Sequence, residues 1–216
     1  DVVIESVRWG IFYNAGQVCS AMSRLITHAD VHDELVERSA ALAQSLSVGP
    51  GIERRKFGAN MGAMISDGQR DRAENLCRNA ERGGAKLVTG GHRLNQPGSF
   101  LAPTVFSDVS SDMEIAQTEV FGPVLTVLKT TSGAEAIEIA NGTEYGLVGG
   151  IFTADIDAAH RAARQIRAGQ IFINEWFAGG VETPFGGYGK SGYGREKGRE
   201  ALWNYVQTKN IAYRTR

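Results

Sequence analysis

Short runs of β-branched and apolar residues alternate along this chain with longer segments of helical period. That alternation limits the fold more than any other feature. Residues 3–13 place Ile4, Val7, Ile11 and Phe12 near helical spacing, with Gly16 as a stop. SRLITHADV reads as a strand after the loop at Cys19. HDELVERSAALAQSL reads as a helix, with Asp30 or His32 near its start and Leu35, Leu42 and Leu46 on one face. In SDGQRDRAENLCRNAERGG, Ser66 and Gln69 have capping-box spacing, and Gly83-Gly84 ends the helix. AKLVTGG, SFLAPTVF and GPVLTVLKT read as extended segments. SGAEAIEIANG is helical with Asn141-Gly142 at its end, GLVGGIFT is a strand, DIDAAHRAARQIRAG a helix and QIFIN a strand. A glycine-rich loop follows over residues 175–194, then REKGREALWNYV as a helix and QTKNIAYRTR as an extended tail. Strands alternating with helices predict an α/β fold, a mostly parallel sheet flanked by helices.

Composition narrows the partners. A net charge of −1 offers no basic footprint for nucleic acid or for an anionic membrane surface. No apolar run approaches the roughly 20 residues of a membrane span. The two cysteines, Cys19 and Cys77, form no C-x-x-C pair and no metal spacing, so a reducing, cytoplasmic setting is expected. The chain holds 27 glycines in 216 residues, well above the roughly 7% of average proteins, and many are clustered. Clusters of that kind suit loops where backbone turns tightly or approaches a ligand. Residue 1 is Asp, and the sequence opens directly into an apolar-periodic run. Both features lead us to expect a piece of a longer protein.

Few residues are candidates for chemistry. Cys19 follows Gly16-Gln17-Val18 and precedes Ser20-Ala21, at a break between a helix and a strand. Nucleophiles often sit on such loops, and the small neighbours leave room for a substrate. The competing reading is a buried, inert thiol, because free cysteine is among the most buried residue types. Cys77 falls with Ala73, Leu76 and Ala80 on one helical face and reads as core. His28, His32, His92 and His160 show no metal-binding spacing, so no metal is expected. Gly187-Tyr188-Gly189-Lys190-Ser191-Gly192 matches G-x-G-x-x-G literally, but it follows ETPFG and not a strand. The dinucleotide-binding reading is therefore rejected. Glu119, in TEVFGPV, sits at a turn fixed by Gly-Pro. Asn174 ends the strand QIFIN, where sheets commonly present functional groups.

Taken together, these stretches are more specific than any one alone. FYNAGQVCSAMS, then EVFGPV about a hundred residues on, then INEWFAGGVETPFGGYGKSGYGREKG, resemble the C-terminal catalytic portion of an NAD(P)-dependent aldehyde dehydrogenase. The likeness runs the length of the chain. The resemblance implies that Cys19 is the catalytic thiol of an F-x-x-x-G-Q-x-C pattern. It implies that Glu119 holds the hydroxyls of the nicotinamide ribose and that Phe121 packs beside that ring. Asn174 is implied as a strand-end support beneath the site. Phe185 would be an aromatic of the substrate tunnel, Val18 and Ser20 would flank the thiol, and Trp176 and Phe177 would help line the pocket. The cofactor implied is NAD or NADP.

The same resemblance implies a catalytic domain over residues 1–205 and a C-terminal oligomerisation strand over 206–216. That strand would join a sheet in a neighbouring subunit of a homodimer or homotetramer. The family's E-L-G-G base, its oxyanion asparagine and its cofactor-binding βα domain lie N-terminal to the thiol and are not in this sequence. The implied reaction oxidises a small aldehyde to a carboxylic acid through a cysteine thiohemiacetal and thioester. GGVETPFGG is similar to members acting on betaine aldehyde and aminoaldehydes. The alternative reading is a folded, associating fragment without dehydrogenase activity, at most a weak thiol esterase.

Overall fold

The computed structural model describes residues 1–51 and 61–216. Helix α1 (Val2–Ile11) buries Val7 and Ile11 and leads through a 3-10 turn (Tyr13–Gly16) to the Cys19 loop. Strand β1 (Arg24–His28) is followed at once by α2 (Ala29–Ser45). The chain continues through α3 (Asp67–Arg82), β2 (Lys86–Thr89), β3 (Thr104–Ser107), the single turn α4 (Glu114–Gln117), β4 (Val124–Thr130) and α5 (Gly133–Asn141). Then come β5 (Tyr145–Gly146), β6 (Val148–Ile151), α6 (Ile156–Gln165), β7 (Gln170–Ile173) and β8 (Tyr188–Gly189).

The main sheet has the order β1-β4-β3-β2. β4 pairs in parallel with both β1 and β3, and β2 closes one edge antiparallel to β3. β6 and β7 form a separate parallel pair, and β5 and β8 a short antiparallel one. The expected sheet is thus parallel over β1, β4 and β3, with the single antiparallel strand β2 at one edge. β4 is buried along nearly its whole length, as a strand covered on both faces must be. Leu125 and Val127 on β4, and Val105 and Phe106 on the neighbouring β3, are fully buried. Each such side chain contributes roughly 1.5–3 kcal/mol of transfer free energy. α2 packs on β1, β3 and β4, while α5 packs on β1 and β4.

Two segments differ from the sequence reading. SRLITHADV is strand only to His28. The His28 ring accepts a hydrogen bond from Asp30 N at 3.3 Å, so it caps α2 and draws Ala29–Val31 into the helix. REKGREALWNYV is not an α-helix. Lys197 and Gly198 adopt left-handed φ values of 58° and 56°, which interrupts the run. Only a 3-10 segment, Glu200–Tyr205, follows. Leu202, Trp203 and Tyr205 lie 65%, 73% and 86% exposed, so no core packing offsets the entropy of ordering a helix. The tail beyond Tyr205 is exposed and has no ladder partner among the described residues.

Candidate active site

Cys19 is displayed by a reversal of the backbone. After α1, Asn14, Ala15 and Gly16 turn left-handed at φ 51°, 54° and 69°. Ala21 N then donates to Val18 O at 2.9 Å, which makes Cys19 and Ser20 the central pair of a tight turn. Met22 N closes the loop onto Gly10 O, also at 2.9 Å. The result separates two neighbours: Cys19 is exposed and Ser20 is buried. Gln17 anchors the loop from the other side. Its Oε1 accepts from Ile65 N at 2.8 Å, and its Nε2 reaches Ala63 O at 3.4 Å. Cys77 has the opposite environment. It is fully buried in α3, and burial pushes its thiol up to about 12. At neutral pH that group is a protonated core side chain, as its helical spacing predicts.

Glu119 and Phe121 stand on the loop between α4 and β4, and both are exposed. Phe121 is left-handed at φ 53°. Residues in that region cost of order 1–3 kcal/mol each and persist where the surroundings hold them. α3 does the holding here. Gln69 Nε2 donates to Val120 O and Phe121 O, both at 3.0 Å. Arg72 donates to Val120 O at 2.9 Å and to Glu119 O at 3.1 Å. The predicted capping box therefore forms only by half. Ser66 accepts from Gln69 N at 3.2 Å, but the Gln69 side chain turns to the Glu119 loop.

The two loops meet through glycines. A side-chain carbon on Gly16 would lie 2.0 Å from Gly122 O, so this backbone contact admits hydrogen alone. The juxtaposition brings Cys19, Val18, Glu119, Phe121 and Trp176 onto one open cavity of about 1160 Å³. A second cavity, of about 660 Å³, shares Val18 and Trp176 with the first and adds Trp9, Tyr13, Asn174 and Phe177. Ring centroids run 6.3 Å from Trp9 to Tyr13, 6.5 Å from Tyr13 to Phe177 and 6.2 Å from Phe177 to Trp176. This spacing makes a continuous aromatic wall. Trp9, Tyr13, Gln17, Gln69 and Arg72 did not emerge as site residues from the sequence. The one available signal was a pair of large aromatics, Trp9 and Tyr13, at helical spacing just before the thiol loop.

Other candidates have structural places. Asn174, at φ 55°, clasps Thr153 with its side chain, accepting from Thr153 N and donating to Thr153 O, both at 2.9 Å. It thereby ties the end of β7 to the turn after β6. Phe185 lines neither cavity. It exchanges two backbone hydrogen bonds of 2.7 Å with Glu196, and the Lys197 ammonium lies 5.5 Å from its ring centre. The glycine motif is used internally as well. Lys190 pairs with Glu144, and Ser191 Oγ accepts from Gly146 N at 3.1 Å.

Comparison with known proteins bears on this arrangement. The family model described as "Aldehyde dehydrogenase family" matches residues 1–211. An aldehyde dehydrogenase of Emericella nidulans is 41% identical over 214 residues, covering 99% of this chain and 42% of the relative. A mitochondrial benzaldehyde dehydrogenase of Antirrhinum majus is 42% identical over 211 residues, covering 98% of this chain and 39% of the relative. The NAD+ complex structure of an aldehyde dehydrogenase from Bacillus cereus superposes with a TM-score of 0.91 at 39% identity. That match covers 95% of this chain and 41% of the solved one. The chain thus spans about two fifths of the length of the relatives it matches.

Proposed function

The chain belongs to the aldehyde dehydrogenase family, and from that premise we propose that it carries the nucleophile and the ribose-binding carboxylate of an enzyme oxidising a small aldehyde with NAD+ or NADP+. The observation that carries the reading is the shared cavity. An exposed cysteine on a tight turn faces the same space as an exposed carboxylate and an exposed ring. Glu119 suits a pair of vicinal hydroxyls, because a carboxylate offers two acceptor oxygens and its backbone is held in place. Phe121 beside it suits the face of a planar ring.

In this reading the Cys19 thiolate attacks the aldehyde carbon. A carbon–sulfur bond forms, and the carbonyl π electrons move to oxygen. The backbone N–H of Cys19 is assigned to that oxyanion. A nicotinamide held by Glu119 and Phe121 would supply the hydride acceptor, and loss of hydride from the adduct leaves Cys19 as a thioester. Water releases the carboxylic acid, and Cys19 is free again. Cysteine suits both halves, as a good nucleophile and then a good leaving group. The aldehyde's substituent lies against Trp9, Tyr13, Trp176 and Phe177. A reducing compartment, the cytoplasm, keeps Cys19 a thiol. Among the described residues no helix is long and apolar enough to cross a membrane.

Association of subunits belongs to the same proposal. Leu202, Trp203, Tyr205, Ile211 and Tyr213 are all more than 60% exposed on the C-terminal segment, and the tail offers unpaired backbone. Residues 206–216 would add a strand to a sheet of a second subunit.

The test is NAD+- or NADP+-dependent oxidation of a small aldehyde panel by the full gene product. Cys19→Ala is expected to abolish it while Cys77→Ala leaves it near wild type. Equal loss from both substitutions would sink the assignment.

A further inference from the structure

The start of α3 reaches both loops of the site. The segment just before the helix holds Gln17 through Ile65 N and Ala63 O, and the first turns of the helix hold the Glu119 loop. Within that arrangement Arg72 differs from its neighbours on the helix. Arg70 pairs with Asp67 and Asp71, and Arg78 pairs with Glu74. Arg72 directs its two terminal nitrogens at two consecutive carbonyls, Glu119 O at 3.1 Å and Val120 O at 2.9 Å. Those carbonyls belong to an exposed loop that contains left-handed Phe121. Surface loops are otherwise the mobile parts of a fold.

We propose that Arg72 is a positioning residue for cofactor binding: its guanidinium fork fixes the backbone of Glu119 and so sets where the Glu119 carboxylate stands. The inference rests on the reading of Glu119 as the ribose-binding group. Hydrogen bonds from a charged donor are among the stronger kind, and the planar fork matches two carbonyls at once. A lysine ammonium is a compact point charge and reproduces one of those bonds. Arg72 lines neither cavity, so its loss acts on cofactor affinity through the Glu119 loop and leaves Cys19 chemistry intact. Gln69 supports the next carbonyl, Phe121 O, and keeps the loop attached when Arg72 is changed.

The experiment uses the full gene product. NAD+ dissociation constants are measured by calorimetry on a Cys19→Ala background, and kinetics and thiol alkylation on the Cys19 background. Arg72→Ala should weaken NAD+ binding and raise its KM about 10-fold. The aldehyde KM and the cofactor-free alkylation rate of Cys19 should stay within about twofold. Arg72→Lys should weaken NAD+ binding by more than about twofold and by less than the alanine variant, and it carries the test alone where the alanine variant does not fold. An NAD+ dissociation constant within about twofold of wild type in a folded Arg72 variant overturns the proposal. So does a parallel fall in NAD+ binding, alkylation rate and melting temperature, which marks a merely structural contact. Failure of the underlying reading looks different: the unsubstituted protein would then neither bind NAD(P)+ nor oxidise an aldehyde.

Discussion

Gly16 and Gly122 meet backbone to backbone. A Cβ built on Gly16 falls 2.0 Å from Gly122 O and 2.4 Å from Gly122 C. This contact locks the thiol loop to the Glu119 loop, and Gly16 also holds φ 69°. Gly16→Ala is therefore expected to lower stability by at least about 2 kcal/mol, the sum of left-handed strain and a forced displacement. Gly133→Ala, at a helical position with nothing within 4 Å, should be neutral or slightly stabilising. Urea unfolding of the two variants decides this, and similar losses for both would refute the contact's role.

The two cysteines should separate cleanly under alkylation. Cys19 is exposed, whereas Cys77 is buried with its thiol pushed up to about 12. Iodoacetamide on the native protein at neutral pH should label Cys19 alone, with Cys77 labelled only after denaturation. Peptide mass mapping reads the outcome, and native labelling of Cys77 would contradict the packing of α3.

The aromatic wall predicts a specificity effect. Tyr13 and Phe177 approach to 6.5 Å between ring centres on the second cavity. Phe177→Ala should raise the KM for an aryl aldehyde about 10-fold, since losing a ring-to-ring contact with the substrate costs on the order of 1–1.5 kcal/mol. The KM for acetaldehyde should change far less. Steady-state kinetics with both substrates would show it. An equal change for both would place the wall away from the substrate.

Acid should weaken the fold through Glu74. Burial pushes its carboxyl up, but hydrogen bonds from the Arg93 side chain and backbone, with the Arg78 and Arg93 charges, outweigh this and hold it below the ordinary value of 4.5. A depressed carboxyl stabilises the folded state above its unfolded value, and that contribution disappears as pH falls through the folded value. Glu74→Gln should thus cost about 2 kcal/mol at pH 7. The gap to wild type should close below about pH 4, in the window under the unfolded carboxylate value. Denaturant titrations from pH 7 to pH 3 test it, and a gap that persists in acid would remove Glu74 from the account.

Much of this molecule was legible in the chain. The strand and helix alternation, the Ser66 cap on Gln69 N, the stop at Gly83 and the core placement of Cys77 follow from interactions spanning three or four residues. The break between helix and strand at Cys19 was legible for the same reason, but the display of the thiol was decided by the left-handed run from Asn14 to Gly16, which the sequence reading did not contain. The missing α-helix at REKGREALWNYV shows where local pattern stops being enough. Helical spacing without a surface to pack on leaves the apolar side chains in water.

The sequence by itself determined the α/β class, most element positions and the core place of Cys77, and it left Cys19 open between display and burial. Only the tertiary structure decided how Cys19 and Glu119, a hundred positions apart, come to face one cavity. It also decided which aromatics share the wall and that Gln17, Gln69 and Arg72 hold the two loops. The physical reason lies in the partners. Caps and helical faces depend on nearby side chains, whose identities are written in the chain. Gln17, Gln69 and Arg72 bond to backbone N–H and C=O groups 46 to 52 residues away, and every residue carries a C=O. Such bonds read the geometry of the folded backbone and leave no mark on the sequence of the loop they hold.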